Sequence, residues 1–166
     1  MNLNIHSPLP NRKDWRIGCI GSGFIMNDCH LVAYNKAGFN PVAIASRTQI
    51  NAAKCAEQHN ITTVHKSIEQ LLDDESIEVL DLAVPPDNQL SIIKDACERG
   101  IVKGILAQKP LGSNYSEAAE AVDACEQAGI TLAVNQNMRY DQSVRAGKTL
   151  LINGTIGDPV LATIDM

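Results

Sequence analysis

The sequence is poor in aromatic side chains, which make up 4% of its 166 residues with a single tryptophan. It is also short of positive charge: 14 Lys and Arg stand against 19 Asp and Glu, a formal net charge of −5. A basic, aromatic surface for nucleic acid is therefore not expected. No apolar run approaches the ~20 residues that span a bilayer, so no membrane partner is expected either. Met1 to Asp14 carry Pro8 and Pro10 but lack the apolar stretch of a signal peptide. They read as a leader (1–14), with the cytoplasm as default compartment. The five cysteines, at 19, 29, 55, 97 and 125, form no C-x-x-C pair. Their odd number suits reduced, buried thiols better than a disulfide framework. His6, His30, His59 and His65 show no metal-ligand spacing, and no metal site is expected.

What the chain does have is rhythm. Apolar runs at Trp15–Ile20, Pro41–Ala45, Thr62–His65, Val79–Val84, Lys103–Ala107 and Thr131–Asn135 read as strands. Amphipathic stretches near 24–37, 48–59, 67–73, 87–99 and 114–128 read as the helices between them. Near-continuous apolar strands such as Val79-Leu80-Asp81-Leu82-Ala83-Val84 suit a sheet covered on both faces. The alternation predicts a doubly wound parallel α/β sheet of Rossmann type over residues 15–137. Gly38, Gly100 and Gly129 fall where left-handed helix C-caps are wanted. Thr48, Ser67 and Asn114 are candidate N-caps, the last with Glu117 at capping-box spacing. After residue 137 the rhythm breaks. Gln142–Ile152 reads as a helix, Gly154–Pro159 as a turn and Val160–Met166 as one strand. Residues 138–166 thus look like the first helix and strand of a second α/β domain, and a single terminal strand needs its edge paired or covered.

The run Arg16-Ile17-Gly18-Cys19-Ile20-Gly21-Ser22-Gly23-Phe24-Ile25-Met26 carries the chemistry. Gly21 allows a tight turn off the first strand, and Gly23, without a Cβ, lets an anion approach the backbone. Ser22, Phe24 and Ile25 complete a backbone whose free N–H groups and helix dipole suit a dinucleotide pyrophosphate. The third glycine of G-x-G-x-x-G is replaced by Met26. At the end of the second strand, where an Asp or Glu would hold the ribose 2′-hydroxyl of NAD, stand Ser46 and Arg47. A hydroxyl followed by a guanidinium accepts a 2′-phosphate, so the expected cofactor is NADP or NAD, leaning to NADP.

With Val84-Pro85-Pro86, Gln108-Lys109-Pro110-Leu111 and Asn135-Gln136-Asn137-Met138-Arg139-Tyr140 in order behind that motif, residues 15–166 resemble the N-terminal part of the Gfo/Idh/MocA family of NAD(P)-dependent oxidoreductases. The resemblance implies hydride transfer between a nicotinamide cofactor and a CH–OH group of a sugar, polyol or related small molecule. It makes Lys109 the catalytic lysine, facing nicotinamide and substrate at the end of the fifth strand, with Gln108 in place of the family's glutamate. It places Val84 and Pro85 along the nicotinamide ribose and Gln89 where relatives carry a histidine. Arg139 matches an arginine near the domain junction, with a structural ion pair as its expected role. Relatives carry a second domain with substrate contacts and the dimer interface, so a homo-oligomer is expected, and the chain reads as truncated. The alternative is a non-catalytic nucleotide-binding or homodimeric assembly module.

Overall fold

The computed structural model describes residue 3 and residues 5–163. These form two compact units: Pro10–Asn135, and the residues up to Leu9 together with those from Gln136 onward.

In the larger unit the described residues build a six-stranded, all-parallel sheet in the order β3-β2-β1-β4-β5-β6. The strands are β1 Arg16–Ile20, β2 Asn40–Ala45, β3 Thr63–Val64, β4 Val79–Leu82, β5 Gly104–Gln108 and β6 Thr131–Asn135. The helices are α1 Leu31–Ala37, α2 Gln49–His59, α3 Ile68–Leu72, α4 Gln89–Arg99 and α5 Tyr115–Ala128. Strand order reverses between β1 and β4, the switch point at which open α/β sheets present a crevice to ligands.

Side-chain alternation along each strand feeds two apolar cores, one per sheet face. Ile17, Cys19 and Ile44 join Met26, Leu31, Ala52 and Cys55 on one side. Ile20, Ala43, Ala45, Leu80, Leu82 and Ile105 join Leu71, Ile93 and Ala121 on the other. Three helices end as expected, with Gly38, Gly100 and Gly129 at φ of 75°, 62° and 69°. Ser67 and Asn114 cap through their side chains, accepting from the N–H groups of Gln70 and Glu117. Thr48 does not: its side chain makes no capping bond.

Two expectations need correction. The first helical stretch is not uniform: a π-helical turn, Ile25–His30, leads into α1. Met26, standing where a third glycine would permit close helix–strand packing, is fully buried where the helix opens into this wider turn. The strand expected at Val160–Met166 is absent over 160–163, and its last three residues lie outside the described ones. A single segment has no ladder partner for its N–H and C=O groups, and Val160 is 97% exposed.

The smaller unit holds a 3-10 turn, Asn137–Tyr140, and α6, Gln142–Ile152, on the expected bounds. Asp141 caps α6 by accepting from the N–H groups of Ser143 and Val144. Thr149 Oγ1 donates to the Leu3 carbonyl at 2.9 Å. Arg139 is exposed and enters no ion pair among the described residues, against the expectation.

Candidate functional site

At the carboxyl ends of β1 and β4 lies a cleft of about 660 Å³, whose walls include Gly21, Ser22, Gly23, Ser46, Arg47, Val84 and Pro85. Seven of the expected cofactor residues therefore meet in one place. The two glycines do different work there. Gly21 sits at φ +105°, and a Cβ built on it would fall 2.4 Å from the Ala83 carbonyl oxygen. Its N–H donates to the Ala45 carbonyl at 2.9 Å, tying the end of β1 to the end of β2. Gly23 is the opposite case: an added Cβ would meet nothing within 4 Å. The space in front of it is open.

The N–H groups of Ser22, Gly23 and Phe24 have no protein acceptor among the described residues. Backbone donors left over at a helix start are the feature that suits an anion. Ser22 Oγ donates to Ser46 Oγ at 2.9 Å, tying the glycine turn to the end of β2 and setting Arg47 beside it, exposed. Phe24 and Ile25 do not line the cleft; Phe24 is 71% exposed, so what these two bring to the turn is main chain.

The loop after β4 runs Val84-Pro85 and then a 3-10 turn, Pro86–Asn88, before α4. Proline fits at that first helical position because its missing N–H would have no partner there. Gln89, expected at the cofactor, is instead fully buried behind the cleft wall. Its Nε2 donates to the carbonyls of Val84, at 3.4 Å, and Pro110, at 3.2 Å. It thus links the loop after β4 to the loop after β5, because an enclosed amide donates to whatever carbonyls surround it. Gln108 ends β5 and Lys109 follows, exposed, with a cis peptide to Pro110. Neither lines the cleft itself; they stand at the next strand end, β5 pairing with β4 up to Leu82↔Ala107.

A second group of polar residues lies beneath this rim, and the sequence reading missed it. Asp81 is fully buried in the centre of β4. His30 Nδ1 lies 2.8 Å from Asp81 Oδ2, and Tyr34 OH donates to the same oxygen at 2.7 Å. The other ring nitrogen, His30 Nε2, faces Asn135 Nδ2 at 2.8 Å and Gln108 Nε2 at 3.3 Å. Burial, then the Asp81 charge, pushes the Tyr34 phenol and the Cys19 thiol well above their ordinary values. One signal was available: a carboxylate inside an apolar strand is costly without buried partners.

Comparison with known proteins agrees with this geometry. A family model described as an oxidoreductase family with an NAD-binding Rossmann fold, Gfo/Idh/MocA, matches residues 15–136, and the chain belongs to that family. D-apiose dehydrogenase of Paraburkholderia graminis is 26% identical over 148 residues, 89% of this chain and 39% of that protein. D-xylose 1-dehydrogenase (NADP(+)) 2 of Haloferax volcanii is 31% identical over 115 residues, 69% of this chain and 35% of that protein. The solved structure of levoglucosan dehydrogenase with NADH and levoglucosan superposes with a TM-score of 0.78 at 28% identity. It covers 87% of this chain and 40% of that one. The chain therefore spans well under half the length of each of these relatives.

Proposed function

We propose that this chain is the dinucleotide-binding part of an oxidoreductase acting on a CH–OH group of a sugar, polyol or related small molecule. The observation that carries the reading is the set of unpartnered N–H groups at Ser22, Gly23 and Phe24, in a turn whose Ser22 and Gly23 line the cleft at the strand-order switch. Those amides hold the pyrophosphate, and Gly23 leaves it room. Val84 and Pro85 form the wall for the nicotinamide ribose, with Gln89 as the buried support behind them. The bound cofactor supplies the carbon that gives or accepts hydride. Lys109 Nζ hydrogen-bonds the reacting oxygen and, when neutral, takes its proton as the C–H bond breaks. Residues 15–137 form the cofactor domain, and 138–166 begin a second domain that would complete the substrate site.

We assign the cofactor as NADP in preference to NAD. No carboxylate directly follows β2; Ser46 and Arg47 stand there in the cleft wall, which Lys66, Glu69 and Asp95 also line, and an exposed guanidinium suits a 2′-phosphate. That one relative is named for NADP and another was solved with NADH leaves the family open to both. The test is calorimetric titration of the chain with each dinucleotide. Micromolar binding is expected, with NADP tighter, and Arg47→Ala should lower NADP affinity roughly tenfold while leaving NAD unchanged. Binding of neither overturns the cofactor site; an unchanged NADP affinity overturns the role of Arg47.

A second reading, a homodimeric assembly module, draws on exposed apolar side chains in the smaller unit, among them Ile152 at 72% and Leu161 at 84%. Sedimentation equilibrium decides it, because a monomer at every concentration excludes assembly through that face.

A further inference from the structure

We infer that His30 is a positioning residue, a neutral imidazole protonated on Nδ1 that carries the hold of the buried Asp81 carboxylate through Gln108 to the peptide N–H of Lys109. The inference rests on the proposal that Lys109 faces the substrate, and adds the device that sets where it stands.

The argument begins with the orientation of one amide. Lys109 N–H donates to Gln108 Oε1 at 2.8 Å, which turns Gln108 Nε2 towards the imidazole. Asn135 directs its own Nδ2 at the same ring nitrogen. Two N–H donors pointed at one nitrogen require a lone pair there, so His30 Nε2 is bare. The ring proton then sits on Nδ1, which lies 3.0 and 2.8 Å from the two Asp81 oxygens. Tyr34 OH gives that carboxylate its second donor. The titratable groups around the pair are Tyr34 and Cys19, the latter opposite Asp81 in the β1–β4 ladder. No Lys or Arg forms an ion pair with Asp81 among the described residues.

Each link comes from a different element. His30 closes the π-helical turn, Asp81 lies within β4, Gln108 ends β5 and Asn135 ends β6. One ring therefore registers three strands against each other, and the last link is the peptide bearing Lys109. The glutamine at 108 follows from the same logic. A glutamate there would aim a carboxylate at the bare nitrogen and would demand a second proton on the ring.

The test uses the full chain, labelled with nitrogen-15. Long-range proton–nitrogen correlation near neutral pH should show His30 as the Nδ1–H tautomer. Gln108→Glu should convert it to the doubly protonated form at the same pH, a change that a merely space-filling histidine would not undergo. Because His30→Ala would strand a buried carboxylate, the second variant is the double change His30→Phe with Asp81→Leu, which removes the charge and keeps the volume. There the Lys109 amide should exchange with solvent roughly tenfold faster, while the Gly21 amide, bonded to Ala45, keeps its rate. An Nε2–H tautomer in the wild type, a ring indifferent to Gln108→Glu, or unchanged Lys109 exchange in the folded double variant would each overturn the inference. None of these readings involves a nucleotide, so they stand or fall apart from the dinucleotide titrations.

Discussion

Replacing Gly23 by aspartate adds a carboxylate where an added Cβ meets no protein atom within 4 Å, at a residue whose φ is not in the left-handed region. The fold should tolerate it, with a stability change within about 0.5 kcal/mol, as at surface sites without special contacts. Binding should not. Two unit charges about 4 Å apart repel by about 4 kcal/mol at an effective dielectric near 20, and salt screening at this open site reduces that. Even a third of it weakens binding roughly tenfold. Gly21→Ala should behave in the opposite way. Its Cβ would lie 2.4 Å from the Ala83 carbonyl oxygen at φ +105°, and the backbone strain alone costs about 1–3 kcal/mol before the clash is relieved. At roughly 2–4 °C per kcal/mol for a chain of this size, the melting temperature should fall by several degrees or more. Calorimetric titration and thermal denaturation on the two variants measure both effects. If Gly23→Asp binds NADP as tightly as the wild type, no diphosphate rests against those amides and the cleft is not its site.

Tyr34→Phe removes the hydroxyl that donates to buried Asp81 and should destabilise the chain by about 1.5–3 kcal/mol, read by denaturant unfolding. The folded phenol is raised above its ordinary value near 10, so the stability it contributes is complete below about pH 10 and is lost as pH rises further, a loss the variant should lack. Glu78 is held down to about 2 by the Lys103 ammonium, the Arg16 N–H and the Arg12 guanidinium. Its contribution is present above the ordinary carboxylate value and is lost as pH falls towards 2, so Glu78→Gln should flatten the acid limb of the stability curve in that window. Asn114→Ala takes away the acceptor for the Glu117 N–H at the start of α5 and should cost about 1 kcal/mol, seen as a lower melting temperature.

Much of this architecture was legible because its causes are local. Apolar runs, glycines at helix ends and an Asn-x-x-Glu cap act within a few residues, and the six strands of the larger unit and the Ser67 and Asn114 caps appear within a residue or two of the expected places, whereas Thr48 makes no capping bond and no strand forms over 160–163. The glycine turn was legible for the same reason, although the reason for Gly21 turned out to be a neighbouring carbonyl as much as a tight turn. What escaped depends on distant partners. His30 meets residues 51, 78 and 105 positions away in the chain, and no periodicity announces such a meeting. The π-helical turn belongs to the same class, since a six-residue turn is chosen by what the helix must bury and where His30 must arrive. The resemblance puts Gln89 at the cofactor, whereas its burial follows from the packing of two loops.

The buried group beneath the cleft also bears on why this strand is not simply apolar. Leu80 and Leu82 flank Asp81 and fill the opposite core, and a third leucine at 81 would face Cys19, Met26 and Leu31 without needing any partner. Replacing buried ionic groups by matched apolar ones is often neutral or stabilising by about 1–4 kcal/mol, whereas removing one partner alone costs about 3–5 kcal/mol. Stability therefore does not account for the carboxylate; orientation does. A leucine cannot select which nitrogen of His30 carries the proton, and without that selection Gln108 Nε2 loses the lone pair it faces and the Lys109 peptide the support behind its acceptor. The charge sits one residue before the last of β4, on the strand whose end also supplies the cleft wall. The end of β1 thus carries an open set of N–H donors and β4 a buried carboxylate with its donors satisfied inside the fold, and the proposed lysine follows β5, the strand that pairs with β4.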